Sequence, residues 1–171
     1  IKNAATSVKW SNSYQDTALE DCKTIADGYK DISGLKNTKT IGTGDEFPAF
    51  KAIAVFNTNN PAPSKATQWF LPSSGQLWDL IEILGKVTTL AAQRTSTDVK
   101  WDIKDDYCFS NLNSRLINVP TAEVFFAHDF LWSSSEVDKY GAWCFVVTTL
   151  SVTSHSLGKF ETANVRPILA F

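Results

Sequence analysis

The sequence predicts an α+β fold, and three observations carry that prediction. A short amphipathic pattern covers residues 47–56, and a capped helix signal begins at Ser73. The C-terminal third is rich in β-branched and aromatic residues, which favour strands. Helices followed by a run of strands are typical of α+β domains. A chain of 171 residues is long enough for one such domain, and we expect that domain to span 1–171.

Residues 1–46 carry the weakest signals, because they are polar and rich in Gly, Asn and Thr. Within 14–26 the apolar residues share one face, which predicts a weak helix that ends at Gly28. We interpret residues 34–46 as a loop. The whole stretch is either part of the domain or the end of a linker or upstream region.

The segment FPAFKAIAVF, residues 47–56, predicts a short helix. Pro48 suits a first helical turn, and Phe50 and Ile53 fall on one stripe. The following residues, 57–68, contain two prolines and several turn formers, and they predict a surface loop.

The stretch WFLPSSGQLWDLIEIL, residues 69–84, combines a strand start with a helix. Pro72 ends the strand, and Ser73 with Gln76 three residues later predicts a capping box. A regular apolar stripe follows, and Gly85 is the natural residue after the helix. The frame of a nucleophile elbow is absent, and nothing in the sequence ties a histidine base to these serines. The elbow is therefore predicted to be a structural corner.

Residues 86–128 predict a long excursion with little regular structure, which is our candidate contact region. Trp101 stands in a polar context there, as a candidate exposed platform for a sugar or a protein, although core packing is the alternative. Asp105 and Asp106 are neighbouring candidate contacts. Calcium is conceivable on these carboxylates or at 45–46, although no EF-hand spacing is present; otherwise we expect no cofactor.

The remaining sequence predicts strands separated by turns. We interpret 133–141 and 154–161 as turns, and we expect residues 142–152 to form a strand that is covered on both faces. Pro167 should lie at an edge or a bulge, since it lacks a ladder donor. The predicted strands lie at 130–132, 142–152 and 164–171.

The composition excludes several classes of protein. The net charge is −2 and Lys and Arg form no run, so neither a nucleic-acid partner nor a basic membrane-binding helix is expected. No apolar stretch approaches the roughly 20 residues that a membrane span needs. The chain contains no Met, and we expect that an export signal has been lost from it.

Three cysteines and two histidines are too few, at these spacings, for a usual zinc site. The cysteines Cys22, Cys108 and Cys144 either pack as small hydrophobic residues or include a Cys108–Cys144 disulfide.

Three separated motifs in fixed order carry a family resemblance over residues 47–171. They are WFLPSSGQLWDL, then FLWSSSE followed by AWCF, then NVRPILAF. This set resembles the C-terminal domain of fimbrillin-like surface proteins of the Bacteroides type. The residues that carry the resemblance are Trp69, Pro72, Ser73, Gln76, Trp78, Trp132, Ser133, Ser134, Trp143 and Arg166.

The resemblance implies a C-type lectin-like fold: a small twisted antiparallel sheet, two main helices and a long loop region. It implies that the closing strand lies in the sheet and that the chain termini are near each other. It also implies a non-enzymatic role in adhesion or fimbrial assembly, on a secreted or lipid-anchored protein at the bacterial surface. The implied partners are other surface or fimbrial subunits, or a host protein or glycan.

Two alternatives to this role stay open. One is a carbohydrate-binding module that uses loop aromatics such as Trp101. The other is an oxidase similar to formylglycine-generating enzymes, which share the fold and use a cysteine pair. Cys108 and Cys144 would have to serve in that enzyme, but the sequence around them does not look like the enzyme's. The calcium-binding motifs of sugar-binding C-type lectins are not seen in the C-terminal region, so the fold does not carry their function.

Overall fold

The computed structural model describes residues 2–119 and 122–170. It contains a sheet with helices packed on both faces, which confirms the predicted α+β class. The strands are β1 (Ala5–Lys9), β2 (Lys100–Lys104), β3 (Asp129–Glu136), β4 (Gly141–Val147), β5 (Ser151–Gly158) and β6 (Thr162–Val165). The helices are α1 (Ile25–Lys30), α2 (Gly34–Ile41), α3 (Pro48–Asn59), α4 (Ser74–Asp79) and α5 (Cys108–Leu116). A π-helical turn at Leu80–Leu84 continues α4, and a 3-10 helix covers Thr88–Gln93.

The six strands lie in the order β1-β6-β3-β4-β5-β2. Every neighbouring pair is antiparallel except β6 and β3, which run parallel. The predicted all-antiparallel sheet is therefore wrong in this one pairing. Because β6 lies between β1 and β3, strands from opposite ends of the chain are neighbours, with Ala5 opposite Val165. The expected place of the closing strand in the sheet is confirmed, and the first and last described strands are neighbours, whereas Ile1 and Phe171 lie outside the described residues.

Strand β4 is buried on both faces, as predicted, but the single strand predicted over 142–152 is wrong, because a turn at 148–150 separates β4 from β5. On one face, Trp143 and Phe145 pack in a core cluster with residues of α1, α4 and α5. On the other face, Cys144 packs with Trp10 and with Phe50 of α3. The sheet thus separates two apolar cores.

Helix α3 is present as predicted, but it runs to Asn59, three residues into the segment predicted as a loop. The helix begins at Pro48 and buries Phe50 and Ile53. The ring of Trp10 meets that of Phe50 edge to face, with the centroids 5.0 Å apart. Aromatic pairs in this geometry stabilise a core beyond the area that they bury.

The predictions for residues 1–46 are mostly wrong. No helix covers 14–24; α1 begins at Ile25, because Thr24 and Asp27 form a capping box there. Gly28 lies buried inside α1 instead of ending it, and α2 occupies the first part of the predicted loop. This region supplies one strand and two helices. That one domain spans 1–171 stays a prediction.

The predicted irregular excursion over 86–128 is wrong as well. It contains the 3-10 helix, β2 and α5, and β2 forms five antiparallel pairs with β5. The resemblance implied two main helices, whereas the described residues form five α-helices. These elements depend on partners far away in the chain, such as β5 for β2, and a polar local sequence does not reveal such partners.

Two segments that were predicted to be turns are largely part of strands. Ser133–Glu136 extends β3, and residues 154–158 belong to β5. The closing strand ends at Val165, so Pro167 follows it instead of interrupting it, and Ile168 forms a single bridge with Phe70. A proline placed after the strand removes no ladder hydrogen bond.

The end of the elbow helix also differs from the prediction. Gly85 has a φ of −74°, in the right-handed region, whereas Lys86 takes the left-handed conformation with a φ of 61°. Gly85 therefore does not serve as a left-handed cap.

Within residues 2–119 and 122–170, no helix has both the length and the apolar character that a membrane crossing requires.

Candidate functional site

The elbow at residues 69–84 is built as a corner. Ser73 and Gln76 form the predicted capping box, in which the Gln76 side-chain oxygen accepts hydrogen bonds from the Ser73 N–H at 3.0 Å and its hydroxyl at 3.1 Å. Helix α2 lies against this corner: a Cβ on Gly34 would be 2.7 Å from the Ser73 nitrogen. Only glycine permits such a close approach.

The serines at the end of β3 bind the elbow. Between Trp132 and Glu136 the strand leaves its register with β4, so its backbone groups face other elements. The Ser134 N–H donates to the Pro72 carbonyl at 2.7 Å, and the Ser74 N–H donates to the Ser135 hydroxyl at 2.8 Å. These buried serines therefore replace ladder hydrogen bonds with contacts to the corner.

The same network extends to Asp31. Its carboxylate accepts from the hydroxyl of Ser135, from the Asn37 amide at 3.1 Å and from the Ser33 N–H at 2.8 Å. The Asn37 amide also donates to the Ser134 hydroxyl at 3.3 Å. A serine nucleophile needs a base to take its proton, and no histidine hydrogen bonds to this network in the described part of the chain. These hydrogen bonds join α2, the elbow and the end of β3.

The four tryptophans of the motifs each use their indole N–H to bind the chain. Trp69 donates to Asn60, Trp132 to Val8 and Trp143 to Cys22, in every case to a backbone carbonyl at 2.7–2.9 Å. Trp78 donates instead to the Glu82 carboxylate at 3.2 Å. The residues that carry the resemblance therefore hold the fold together and form no common binding surface.

A polar cleft of about 330 Å³ lies in front of this network, between the segment at residues 18–22 and helices α1 and α2. Carboxylates of Glu20 and Asp27 and ammonium groups of Lys30 and Lys36 line it together. Asp21 and Asp31 belong to the lining as well, so acidic residues outnumber basic ones in it. Burial, assisted by nearby carboxylates, raises the pKa of Cys22 in its wall to about 12, so the thiol stays protonated at neutral pH.

The predicted ligand contacts are not brought together as a site. Trp101 is only 4% exposed and meets the ring of Trp78 edge to face at 5.4 Å, so it cannot serve as a platform. Asp105 lies three residues before α5, and its carboxylate accepts the backbone N–H groups of Tyr107 at 2.9 Å and Cys108 at 2.6 Å. Asp106 is exposed.

Metal ligation has no support in the described residues, in which no three His, Cys, Asp or Glu side chains gather as a metal site. Of the other proposed calcium ligands, Asp45 forms an ion pair with Lys51. A calcium site stays untested.

The cysteines do not form the pair that an oxidase would need. All three are free and buried, so the Cys108–Cys144 disulfide is absent and the alternative of small core residues is confirmed. Cys108 and Cys144 belong to the cores on opposite faces of the sheet. Burial is the main cause that raises the pKa of both thiols to about 12.

An exposed aromatic cluster was missed by the sequence analysis. It consists of Tyr14, Tyr140 in the β3–β4 turn and Phe160 in the β5–β6 turn. The ring of Tyr14 lies 5.5 Å from that of Tyr140 and 4.2 Å from that of Phe160. Lys9 and Lys139 lie over two of these rings, at 5.2 and 4.9 Å from the centroids. An aromatic residue inside a predicted turn was the signal that could have found it.

The segment at residues 86–128 nevertheless exposes apolar side chains. Tyr107 stands just before α5 and Ile117 just after it, and Phe126 lies in the stretch that leads to β3. These three are 66–75% exposed. They are the most exposed of the large apolar residues described in the predicted contact region.

Comparison with known proteins gives a likeness of fold. The structure is similar to a crystal structure of a fimbrial protein from Bacteroides ovatus, with a TM-score of 0.51 and 17% sequence identity. The match covers 91% of this chain, and this chain spans about a third, 33%, of that protein. No protein-family profile matches the sequence. No curated protein sequence matches it either.

Proposed function

We propose that this chain is a non-enzymatic domain of a bacterial surface protein that serves in adhesion or fimbrial assembly. The observation that supports it is the likeness of fold to a fimbrial protein over 91% of the chain. Two further features agree with a non-enzymatic role: the Ser135 hydroxyl that donates to Asp31 is buried, and the thiols are buried with raised pKa values. The protein that contains this chain would be exported and would act outside the cell.

We further propose a C-type lectin-like arrangement for the fold. What supports it is that β1 and β6, from opposite ends of the chain, pair with each other, while β3, β4 and β5 follow one another as antiparallel neighbours. An experimental structure that superposed on C-type lectin domains no better than unrelated folds do would contradict this proposal.

The partner in assembly would be another surface or fimbrial subunit, or a host protein. We place the contact on the exposed apolar residues Tyr107, Ile117 and Phe126, since apolar side chains at a surface gain most from being covered.

The location of the protein on the cell is the first test of this proposal. Immunogold labelling of the full-length protein on its own bacterium should mark the outer surface or its fimbriae. Label confined to the cytoplasm would overturn the proposal.

The contact surface can be tested in the same cells. Ile117→Ser with Phe126→Ser should leave folding intact but shorten fimbriae or reduce attachment. Val55→Ser, which changes an exposed apolar residue on α3, is the matched control. Normal fimbriae and attachment with the double variant would remove this surface from the proposal.

Carbohydrate binding is the second candidate, and the aromatic cluster of Tyr14, Tyr140 and Phe160 favours it over the buried Trp101. Exposed rings stack against the apolar faces of sugars, as they do against other apolar groups. A glycan array run with and without calcium tests this candidate, with Tyr140→Ala as the variant expected to lose signal. An array that stays blank in both conditions would exclude it.

A further inference from the structure

The polar cleft between the segment at residues 18–22 and helices α1 and α2 has an open acceptor in its floor. Asn37 lines the cleft and is only 7% exposed. Its amide nitrogen donates to the Asp31 carboxylate at 3.1 Å and to the Ser134 hydroxyl at 3.3 Å. Because a carboxylate only accepts, these contacts fix which end of the amide is the nitrogen.

The amide oxygen of Asn37, Oδ1, is left without a partner. It accepts no hydrogen bond within the described parts of the chain, and it is not sealed from solvent by the fold. Most buried polar groups are hydrogen bonded, so an open oxygen on a buried amide indicates a place for a donor. Since Asn37 lines the cleft, that donor would come from the cleft.

The Asp31 carboxylate beside it is also incompletely used. Its Oδ2 accepts from the Ser135 hydroxyl and from Asn37, whereas its Oδ1 accepts only from the Ser33 N–H, at 2.8 Å. Each carboxylate oxygen can accept two hydrogen bonds, so Oδ1 of Asp31 has room for one more. Because Asn37 contacts Asp31 directly, the two open acceptors are close enough for one donor group to contact both.

The charges of the lining favour a cation in the inner part of the cleft. They are four carboxylates and two ammonium groups: Glu20, Asp21, Asp27, Asp31, Lys30 and Lys36. Within residues 2–119 and 122–170, Asp21 is the member of this set that forms an ion pair, with Lys23 at 3.2 Å. Both lysines of the lining are exposed, whereas Asp27 and Asp31 are half-buried. The ammonium groups therefore lie at the mouth, where water screens them more strongly.

The thiol of Cys22, in the wall of the cleft, responds to the same carboxylates. Burial is the first cause that raises its pKa, and the carboxylates of Asp31, Asp27, Glu20 and Asp21 follow in that order. Electrostatic interactions weaken with distance, so all four carboxylates lie close to this one wall.

We propose that this cleft binds the primary ammonium group of a small polar molecule, at Oδ1 of Asn37 and the carboxylate of Asp31. An ammonium group carries three N–H donors and a charge opposite to that of the carboxylates, so its hydrogen bonds here would be charge-assisted. A quaternary ammonium fits less well, because it has no N–H to donate to Oδ1. A metal ion fits less well too, since no three side chains of the usual ligand types gather in the described residues.

The size of the cleft admits a ligand as large as a monosaccharide. Its volume of about 330 Å³ lies at the lower end of the range for small-molecule sites. The ammonium group would belong either to an amino sugar or to a lysine side chain of a polypeptide. This inference is independent of the proposed assembly contact, because Tyr107, Ile117 and Phe126 are not part of the described lining.

Glucosamine and Nα-acetyl-lysine amide are the two probes, measured by saturation-transfer NMR at a pH at which their amines are charged. Each is compared with its acetylated partner, N-acetylglucosamine or the Nα,Nε-diacetyl compound, which lacks the ammonium group. We expect a Kd on the order of 1 mM, which is ordinary for a ligand of about a dozen non-hydrogen atoms, and binding at least about tenfold weaker after acetylation.

The outcome with the two probes also identifies the source of the ammonium group. Tighter binding of glucosamine identifies an amino sugar, and tighter binding of the lysine derivative identifies a polypeptide side chain. No binding of either amine, or equal binding of the amines and their acetylated partners, would overturn the proposal.

Variants then locate the site. Asp31→Asn keeps the size of the side chain but removes its charge, and it should weaken binding of the amine about tenfold or more. Asp106→Asn is the matched control at an exposed position outside the described lining, and it should bind like the native chain. Equal binding in folded Asp31→Asn and in this control would contradict the assigned contact.

A second variant tests the site even if Asp31→Asn fails to fold. Ala18 lines the cleft and is exposed, so Ala18→Trp places a large ring in the cleft at a position that tolerates size. It should abolish binding of the amine while circular dichroism shows native folding. Unchanged binding in Ala18→Trp would refute this location.

Discussion

Two cations lie inside this protein, Lys159 and Arg166, and their surroundings differ. Lys159 is fully buried, pairs with the buried carboxylate of Glu136, donates to the Gln15 carbonyl at 2.8 Å and lies over the Trp10 ring. Arg166 also lies over an aromatic ring, but its acceptors are two backbone carbonyls. One buried charge is matched by a partner of opposite charge, and the other is not.

The matched pair has a recognisable structural purpose. The other oxygen of Glu136 accepts from Thr17, its carbonyl accepts from the Cys22 N–H at 2.8 Å, and the Lys159 carbonyl accepts from the Trp10 N–H at 3.1 Å. The pair therefore holds the N-terminal segment against the sheet. The comparison teaches that one buried cation is held by a carboxylate and fixes a neighbouring segment, whereas the other is held by backbone carbonyls and an aromatic ring alone.

Breaking the ion pair between Glu136 and Lys159 should have the largest effect on the stability of the fold. Glu136→Gln keeps the shape but leaves the Lys159 ammonium buried without a counter-charge, and we expect a loss of about 3–5 kcal/mol in the free energy of unfolding. Urea denaturation measures it. The control is Glu161→Gln, at an exposed glutamate in the neighbouring turn, with an expected change within about 0.5 kcal/mol. A loss no larger than the control's would show that the pair does not stabilise the fold.

Replacing both Glu136 and Lys159 should lower the free energy of unfolding by less than the sum of the two single replacements. Glu136→Leu combined with Lys159→Met leaves no unpaired charge, although Thr17 and Gln15 lose partners. We expect a coupling energy between about 0.5 and 3 kcal/mol from a double-mutant cycle measured by denaturation. Strict additivity would mean that the two side chains act independently.

Arg166→Met should have a smaller effect on stability. No carboxylate loses its direct partner, and a swap of similar volume costs less than about 1.5 kcal/mol. The same denaturation experiment measures it, with Arg115→Met as the exposed control. A loss as large as that of Glu136→Gln would show that Arg166 is matched after all, and the contrast between the two cations would disappear.

The smallest expected effect on stability comes from the titration of His155, whose side chain is partly buried. Burial and the nearby Lys100, its cross-strand neighbour, lower the pKa of His155 below the usual value near 6.5. The folded state therefore binds the proton less well than the unfolded state does. This contribution to stability is present above about pH 6.5 and is lost as the pH falls below it. Thermal unfolding between pH 7 and 5 measures it.

The control for this prediction is His155→Gln, which should flatten that part of the pH profile. An equal decline in the variant would assign the pH dependence to other groups.

Local signals predicted the elements that carry their own start and stop. Helix α3 begins at Pro48, the elbow helix begins after Ser73, and β4 shows its two buried faces in its composition. In each case the residues that favour the element lie within it, so the sequence was sufficient.

Elements that depend on distant partners were not predictable in this way. Ser133–Glu136 looks like a turn, because serine and glutamate are poor strand formers, yet these residues are buried against the elbow and Lys159. In β2, at 100–104, charged residues alternate with apolar ones. This strand lies at the sheet edge, where charged side chains discourage pairing with other chains.

The surroundings of Arg166 were equally hidden from the sequence. Arg166 was recognised as part of a motif. Leu77, Leu112 and Leu131, which lie with it around a small apolar cavity, meet only in the folded chain. The missing counter-ion also becomes visible only there, since Glu123 lies nearby but binds Asn3 instead. A single sequence shows which side chains exist and not which of them lack partners.

The position of β6 between β1 and β3 has a consequence for the order of events during synthesis. Of the six strands, β6 leaves the ribosome last, and until then β1 has no neighbour while β3 keeps an open edge. Contacts between the two ends of a chain also form slowly, because a long loop must close first. The described sheet therefore stays incomplete until β6 is made, and loss of β6 would remove two strand pairings at once.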